Sequence, residues 1–257
     1  SPVHLRHVSI EYLQQNKIKE FEEIICETSS FTLEELKQMM LFAWVFSTFQ
    51  NLGVFEEFSQ YYRQIHDLSF MSFYETFFEF SKSEKTVFSE EIEIVTKYFD
   101  IGFSGNGWDH IEPRFGNINW PIEEASWLRL TRDKKLLENT IFNLLVYINN
   151  ECELNESDII LRDLAKFQVF ILTTRDYKDE IKSSKFEYDW KEFFIENNSI
   201  LSEKECTYSY RNPINESDFV KWGYKTIWYG RRSRDHKYHP ENLSIKELKI
   251  EKASNNK

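Results

Sequence analysis

The stretch Thr32-Leu-Glu-Glu-Leu-Lys-Gln-Met-Met-Leu-Phe-Ala-Trp-Val-Phe-Ser-Thr-Phe-Gln-Asn-Leu-Gly53 predicts a long helix at the centre of the fold. Thr32 and Glu35 have the spacing of a capping box, in which each side chain accepts a hydrogen bond from the other residue's backbone N–H. Gly53 can take the left-handed conformation that ends many helices. The apolar run from Met39 to Phe46 is far shorter than the roughly 20 residues that cross a bilayer. We therefore expect a helix buried on every side in a helical core, with no membrane span.

The composition favours long helices. The chain has 257 residues, enough for one large domain or two small ones. There are 23 Phe and 13 Tyr but only 7 Gly and 5 Pro to make turns, which argues against a sandwich of short strands. A net charge of -11 disfavours a nucleic-acid partner, because phosphates would be repelled. Any site for an anion must be local.

The cysteines indicate a reducing compartment. Cys26, Cys152 and Cys206 are odd in number and far apart, so they form neither a disulfide framework nor a C-x-x-C metal site. We expect a cytoplasmic protein. The first residues contain no apolar signal stretch and no initiating Met, which suggests a piece of a longer protein, although a trimmed chain would look the same.

Periodicity along the chain predicts a mainly α fold, a helical bundle with a small α+β appendage near the C-terminus. Apolar residues recur at helical spacing in several segments, and shorter alternating pieces follow Thr174. For the stretch from Asn16 to Glu27 either an amphipathic helix or an edge strand is open, with the strand favoured. The predicted units are a connecting segment (1–30), a helical bundle (31–175), an α+β subdomain (176–240) and a flexible tail (241–257).

The loop from Ile101 to Trp120 breaks the helical pattern and holds four of the 7 glycines. Glycine-containing loops of this length in a compact domain are often functional. Asp109, His110 and Glu112 within it are candidate metal ligands, because carboxylate and imidazole suit several divalent ions. The alternative is a capped, solvated loop, and it is favoured because no H-E-x-x-H motif supplies further ligands.

The helix expected after this loop carries a second group of candidates. Glu123 and Glu124 could act as acid or base, or bind a ligand beside Trp120. Two acids in a first helical turn are also what the helix dipole favours, and that structural interpretation is the preferred one.

The third candidate is a basic turn near the C-terminus. Arg231 and Arg232 concentrate positive charge in an acidic chain, and guanidinium groups pair bidentately with carboxylate or phosphate. They could hold an anionic substrate or an acidic partner, with Trp228 and Tyr229 as a stacking wall. A solvated basic turn is equally compatible with the pattern.

Four segments resemble the C-terminal region that follows the radical S-adenosylmethionine core in the cobalamin-binding-domain radical enzymes. They are Glu22-Glu-Ile-Ile-Cys-Glu-Thr-Ser-Ser-Phe-Thr32, Leu41-Phe-Ala-Trp-Val-Phe-Ser-Thr-Phe-Gln-Asn-Leu-Gly53, Gly116-Asn-Ile-Asn-Trp-Pro-Ile-Glu-Glu124 and Ile227-Trp-Tyr-Gly-Arg-Arg232. The resemblance spans about residues 8 to 240. It is one of order and general character, without a catalytic signature.

The resemblance implies an accessory module, not catalytic alone, that selects substrate or shields a radical from water. The full-length protein would use a 4Fe-4S cluster, S-adenosylmethionine and cobalamin, in a family whose reactions include methyl transfer, and its radical core would be this module's partner in cis. This chain lacks the cysteine run that holds the cluster and would bind none of these cofactors. Trp120, Glu123 and Glu124 would line the face turned to the core, and Arg231 and Arg232 would meet an anionic part of the substrate.

Two alternatives remain, and so does the question of assembly. The chain could be a stand-alone helical protein-binding module with a basic docking turn. It could also be a metal-dependent hydrolase built on Asp109, His110 and Glu112. A homodimer is open in each case, since an apolar face left uncovered by a missing domain can drive association.

Overall fold

The computed structural model describes residues 2–3, 22–116, 118–172, 181–196, 200–211 and 248–250. Within them the helices are α1 (Leu33–Val45), α2 (Glu56–His66), α3 (Phe70–Ser83), α4 (Val87–Ile101), α5 (Ile122–Arg132), α6 (Lys134–Glu151), α7 (Asp158–Leu172) and α8 (Trp190–Glu196). The strands are β1 (Pro2–Val3), β2 (Glu22–Glu23), β3 (Ile181–Tyr188), β4 (Glu203–Arg211) and β5 (Lys249–Ile250). The predicted fold, mainly α with a small α+β part near the C-terminus, is confirmed. No described helix has the length and apolar character that a bilayer crossing requires.

Helix α1 begins where the sequence predicts, and its π-helical continuation ends close to the predicted Gly53. The Thr32 hydroxyl accepts from the Glu35 N–H at 3.2 Å, and the Glu35 carboxylate accepts from the Thr32 N–H at 2.8 Å. After Val45 the helix widens into a π-helical segment, Phe46–Asn51, and the chain turns at Gly53 with a φ of 77°. The capping box and the terminal glycine are therefore both used.

The prediction that α1 is buried on every side is wrong. Trp44 and Val45 are buried, whereas Met39 is 52% exposed and Phe46 is 38% exposed. The apolar run forms a helix with one face in the core and another on the surface, because α4, α5 and the π-helical segment contact it from limited directions.

An aromatic cluster joins the first four helices. Phe49, in the π-helical segment, lies 4.4 Å from Phe55 between ring centroids. Phe55 in turn lies 5.2 Å from Phe77 of α3 and 5.2 Å from Phe88 of α4. All four side chains are fully buried. Burial of each such ring stabilises the fold by roughly 1.5–3 kcal/mol, so this cluster is a main source of stability for the bundle.

A buried amide connects α7 to the start of α2. The Gln168 carbonyl oxygen accepts from the N–H groups of Glu57 at 3.0 Å and Phe58 at 3.3 Å. Its amide nitrogen donates to the Gly53 carbonyl at 3.0 Å and to the Glu57 carboxylate at 2.8 Å. Gln168 thus satisfies helix-terminal N–H groups that would otherwise lack acceptors inside the protein.

The α+β part shares one core with the bundle. Strand β4 pairs antiparallel with β3 on one side and with β5 on the other. Phe186 of β3 packs against Phe167 and Phe170 of α7 at centroid distances of 5.5 and 5.4 Å, and Tyr210 of β4 also packs against Phe170. The buried residues of both predicted units therefore form a continuous cluster.

Asp163 fixes this attachment through hydrogen bonds. Its Oδ2 atom accepts from the backbone N–H groups of Glu187 at 3.1 Å and Tyr188 at 3.3 Å, and from the indole N–H of Trp190 at 2.8 Å. Burial raises the pKa of this carboxyl group. A single side chain of α7 thereby holds the end of β3 and the first residue of α8.

Short strands pair near both ends of the described residues. Pro2–Val3 pairs antiparallel with Glu22–Glu23, so strand is present at two residues of the segment from Asn16 to Glu27, where a strand was favoured. Of the predicted tail (241–257) the structure describes residues 248–250, in which Lys249–Ile250 forms β5 and Leu248 is buried beside it.

Candidate functional site

The glycine-containing loop begins with a tight contact between Gly102 and Trp108. Helix α4 continues into a wide turn, Gly102–Asn106, and Gly105 and Gly107 have φ values of 81° and 95°. These angles reverse the chain and bring the Trp108 ring over Gly102, where an added Cβ would lie 2.5 Å from the ring atom Cδ2. Glycine at 102 is therefore required for this approach.

The far part of the loop is closed by hydrogen bonds to Asn119. The backbone N–H of His110 donates to Asn119 Oδ1 at 2.7 Å, and Asn119 Nδ2 donates to Asp109 Oδ1 at 3.1 Å. The Trp120 N–H donates to the His110 carbonyl at 2.9 Å. Asp109 and His110 are thereby held beside the start of α5.

A buried ion pair lies beneath the loop. Arg129 of α5 donates from Nε to Glu91 Oε1 at 2.6 Å and from Nη2 to Glu91 Oε2 at 2.7 Å. The side chains of both residues are 6% exposed. Arg129 Nη2 also donates to Ser126 Oγ at 3.1 Å, and the Trp44 indole N–H donates to the same oxygen at 3.2 Å. The pair connects α4 with α5, and Ser126 extends the connection to α1.

Arg129 also contacts the loop itself. Its Nη1 lies 3.0 Å from His110 Nε2 and 3.4 Å from Glu112 Oε2. Since guanidinium can only donate, His110 accepts through Nε2 and is neutral in this arrangement. Arg114 lies closer to Glu112, because its Nε donates to Glu112 Oε1 at 2.8 Å and its Nη2 donates to Glu112 Oε2 at 2.7 Å. Glu91, Arg129, Glu112 and Arg114 thus alternate in charge, and the neutral imidazole of His110 contacts Arg129.

The pKa values follow from these contacts. Burial and the neighbouring Arg129 charge lower the pKa of His110 to about 4, against a smaller opposing effect of Glu112. Hydrogen bonds from Arg114 lower the pKa of Glu112 to about 2. At neutral pH the imidazole is uncharged and the Glu112 carboxylate is ionised, so the arrangement is charge-balanced.

This geometry does not favour the metal-site hypothesis. His110 Nε2 and Glu112 Oε2 both face Arg129, and a cation placed between them would meet the guanidinium charge. Across the described residues, no group of three or more His, Cys, Asp or Glu side chains is arranged to hold a metal ion. The contacts of Asp109, His110 and Glu112 fix the loop to α5 instead.

The remaining predicted site residues lie in different environments. Trp120 and Glu124 are each 1% exposed and belong to the chain's own core, while Glu123 is partly exposed. The structure therefore separates Glu123 from Trp120 and Glu124 in accessibility, although all three are adjacent in sequence. Trp228, Tyr229, Arg231 and Arg232 lie outside the described residues.

Glu91 and Arg129 were not among the sequence candidates. Glu91 is a charged residue of α4, yet it is buried. A signal was present, because Glu91 falls in the apolar register of Phe88, Val95 and Phe99, where a charged side chain needs a buried partner. Its partner is 38 residues away, and nothing local identifies it.

The three cysteines lie in separate parts of the fold. Cys26 precedes α1, Cys152 follows α6, and Cys206 is buried in β4. The resemblance assigns the cysteines of the iron-sulfur cluster to the radical core outside this chain, and that assignment stays a prediction.

Comparison of the sequence with models of known protein families gives no match. A search of curated proteins also finds no matching relative.

Proposed function

We propose that the chain is the C-terminal accessory module of a cobalamin-dependent radical S-adenosylmethionine enzyme. The module is not catalytic by itself. It covers the open side of the radical core, excludes water and contributes to the choice of substrate. The basis for the family is the sequence resemblance, and the structural support is an exposed apolar surface that includes Ala43 and Phe46 of one of the segments that carry it.

That surface, the α1 apolar face, consists of Met39 and Ala43 of α1, Phe46 at the start of the π-helical segment, and Met71 of α3. Met39, Ala43 and Phe46 follow one another at helical spacing and are all exposed, and Met71 is 57% exposed. Phe46 packs edge-on against Tyr74 at 6.3 Å, which brings α3 beside it. Contiguous apolar patches on a surface mark sites of association, because water contact with them is unfavourable.

The occupant we propose for this face is the radical core in cis. The family resemblance orders the core before this chain, and α1 is the first helix after the connecting segment. Methionine supports such a role, because its flexible thioether adapts to a partner surface. Docking here would leave the loop from Ile101 to Trp120 and the partly exposed Glu123 near one end of α5 to contact substrate.

The basic residues Arg231 and Arg232 complete the proposal. They would bind an anionic part of the substrate, while the neutral interior of the module would keep the radical from water. Changing both residues to Ala in the full-length enzyme should weaken substrate binding and leave reductive cleavage of S-adenosylmethionine intact. Unchanged substrate affinity would remove this assignment and leave the docking proposal standing.

The docking proposal is tested on the full-length protein with Met39→Asp/Met71→Asp. Both side chains are more than half exposed, so the change should not unfold the module. We expect 5′-deoxyadenosine to form with at least a tenfold loss of coupled product, because a loosened module admits water. Leu136→Asp on α6 is the matched control, since Leu136 is similarly exposed. A coding sequence without an in-frame C-x-x-x-C-x-x-C segment upstream would refute the proposal.

A stand-alone protein-binding module is the second candidate, and the same α1 apolar face supports it. This alternative predicts that the 257-residue protein binds a separate partner through Met39 and Met71. Loss of that binding in Met39→Asp/Met71→Asp would favour it over the accessory module.

A further inference from the structure

A groove runs along α6 and α7 on a surface that neither the buried ion pair nor the α1 apolar face uses. It comprises two cavities, of about 270 and 420 Å³, that share Phe142 and Arg162 as lining residues. We call it the α6 groove. Its wall on α6 extends from Glu138 to Asn150, a distance of about 18 Å at the rise of an α-helix.

Arg162 lies between the two cavities, and its guanidinium N–H groups can donate hydrogen bonds to a ligand. Its Cζ atom lies 3.8 Å from the centre of the Phe142 ring, so the guanidinium is held against the aromatic face. Within the described residues, no carboxylate or carbonyl pairs with it. Because stacking leaves the N–H groups at the edge of the guanidinium free, they remain able to donate to a ligand oxygen.

Three amide side chains line the same wall. Asn139, Asn143 and Asn150 lie on the groove side of α6 at spacings of four and seven residues, and all are exposed. Asparagine is a poor helix former, so the fold does not account for a row of them inside one helix. Asn149 has a clear structural role by comparison, because its side chain accepts from the Glu156 N–H at 2.8 Å.

Acidic residues line both cavities. Glu138 and Glu187 belong to the smaller cavity, and Glu84 and Asp158 belong to the larger one. Lys166, which also lines the smaller cavity, donates its ammonium to the Lys185 carbonyl. Burial raises the pKa of Glu138, against a smaller opposing effect of the Lys166 charge. The groove is therefore net acidic at both ends and has amide and guanidinium donors between them.

We propose that the α6 groove binds an extended peptide segment that carries basic residues. The peptide main chain contacts Arg162 and the three Asn side chains, and one basic side chain of the peptide lies in each cavity. A side-chain amide both donates and accepts, as does a peptide unit, which suits recognition of a main chain. At about 3.3 Å per residue, some five residues span the groove. A nucleic acid does not fit, because the acids at both ends would repel its phosphates.

The test uses the 257-residue protein and capped, fluorescein-labelled hexapeptides with Lys at the first and fifth positions. Fluorescence anisotropy should give saturable binding that weakens with added salt, whereas the same peptides with Glu in place of Lys should not bind. Spermidine has positive charge but no peptide main chain. It should therefore displace the labelled peptide at least tenfold less well than unlabelled peptide does.

The matched variant is Asn139→Ala/Asn143→Ala/Asn150→Ala. Alanine favours the helix, so this protein should unfold at the same or a higher temperature while binding the peptide at least tenfold more weakly. The control variant Gln38→Ala, at an exposed position of α1, should bind the peptide as tightly as the unaltered protein does. Undiminished binding by the triple variant, equal competition by spermidine, or no saturable binding of any Lys hexapeptide below 1 mM would each overturn the proposal.

Discussion

Glu91 and Arg129 form a bidentate ion pair inside the protein, with nitrogen–oxygen distances of 2.6 and 2.7 Å. The pair joins α4 to α5, and the same guanidinium reaches His110 and Glu112 in the loop. One arginine therefore couples the helical core to the irregular segment between its two halves. Its replacement should affect both.

Arg129→Met should destabilise the protein by about 3–5 kcal/mol, because it leaves the Glu91 carboxylate buried without its partner. Chemical denaturation at pH 7 measures the change. Lys82→Met provides the comparison, since the Lys82–Glu79 pair is exposed and should contribute less than about 1 kcal/mol.

The double variant Glu91→Leu/Arg129→Met should recover much of the loss, because replacing both members of a buried pair by apolar residues is often close to neutral. If Arg129→Met is no more harmful than Lys82→Met, the pair does not organise the core.

Acid should destabilise the fold through His110. Its folded pKa of about 4 lies below the unfolded value of 6.5, so between these values the unfolded chain binds a proton that the folded chain does not. Stability contributed by the neutral imidazole is present above pH 6.5 and is lost as the pH falls to 4. The expected loss between pH 7 and 5 is about 2 kcal/mol. The lowered pKa of Glu112 extends the decline from 4.5 toward 2.

His110→Asn isolates this contribution, because an amide oxygen can still accept from Arg129 and does not titrate. The difference in unfolding free energy between the variant and the unaltered protein should change by about 2 kcal/mol between pH 7 and 5. A difference independent of pH would show that His110 titrates normally.

Gly102→Ala should destabilise the protein although alanine is the better helix former. Gly102 has a helical φ of −59°, so alanine by itself would gain about 1 kcal/mol. The added Cβ would lie 2.5 Å from the Trp108 ring, and overpacking of this kind costs about 1–3 kcal/mol. Tyr98 and Phe103 restrict movement of that ring. In a Trp108→Leu background, Gly102→Ala should be neutral or stabilising. A destabilisation of equal size there would show that the Trp108 ring is not its cause.

Asp163→Leu should loosen the sheet from α7. It leaves the N–H groups of Tyr188 and Trp190 without their acceptor, at a cost of about 2–4 kcal/mol. Hydrogen exchange should accelerate in β3 before it does in α2. Asp158→Leu, at an exposed position of the same helix, should leave β3 protected. Equal protection of β3 in both variants would contradict the attachment.

The sequence predicted the elements that depend on local signals. The capping box of Thr32 specifies the start of α1, and Gly53 lies at the turn after its π-helical continuation, so these two predictions are confirmed. Burial of α1 was overestimated for a physical reason. An apolar run shows that a helix can be covered, and only the arrangement of its neighbours determines how much of it is.

The site could not be derived in the same way. Glu91 and Arg129 are 38 positions apart, and Gln168 caps a helix that begins 112 residues earlier. Such pairs arise from the packing of whole helices, so single-sequence patterns do not reveal them. The glycines marked the loop as a candidate site, but the contacts of His110 depend on Arg129, which no local signal identified.

The most direct test of the proposed module is the solvent access of residue 39 in the full-length protein. Met39→Cys is alkylated in the separate 257-residue chain and in the full-length enzyme, and peptide mass spectrometry follows modification at residue 39, with Leu136→Cys as the reference position. The account predicts at least tenfold slower alkylation of residue 39 in the full-length enzyme and little change at residue 136. Equal rates at residue 39 in both proteins would contradict it.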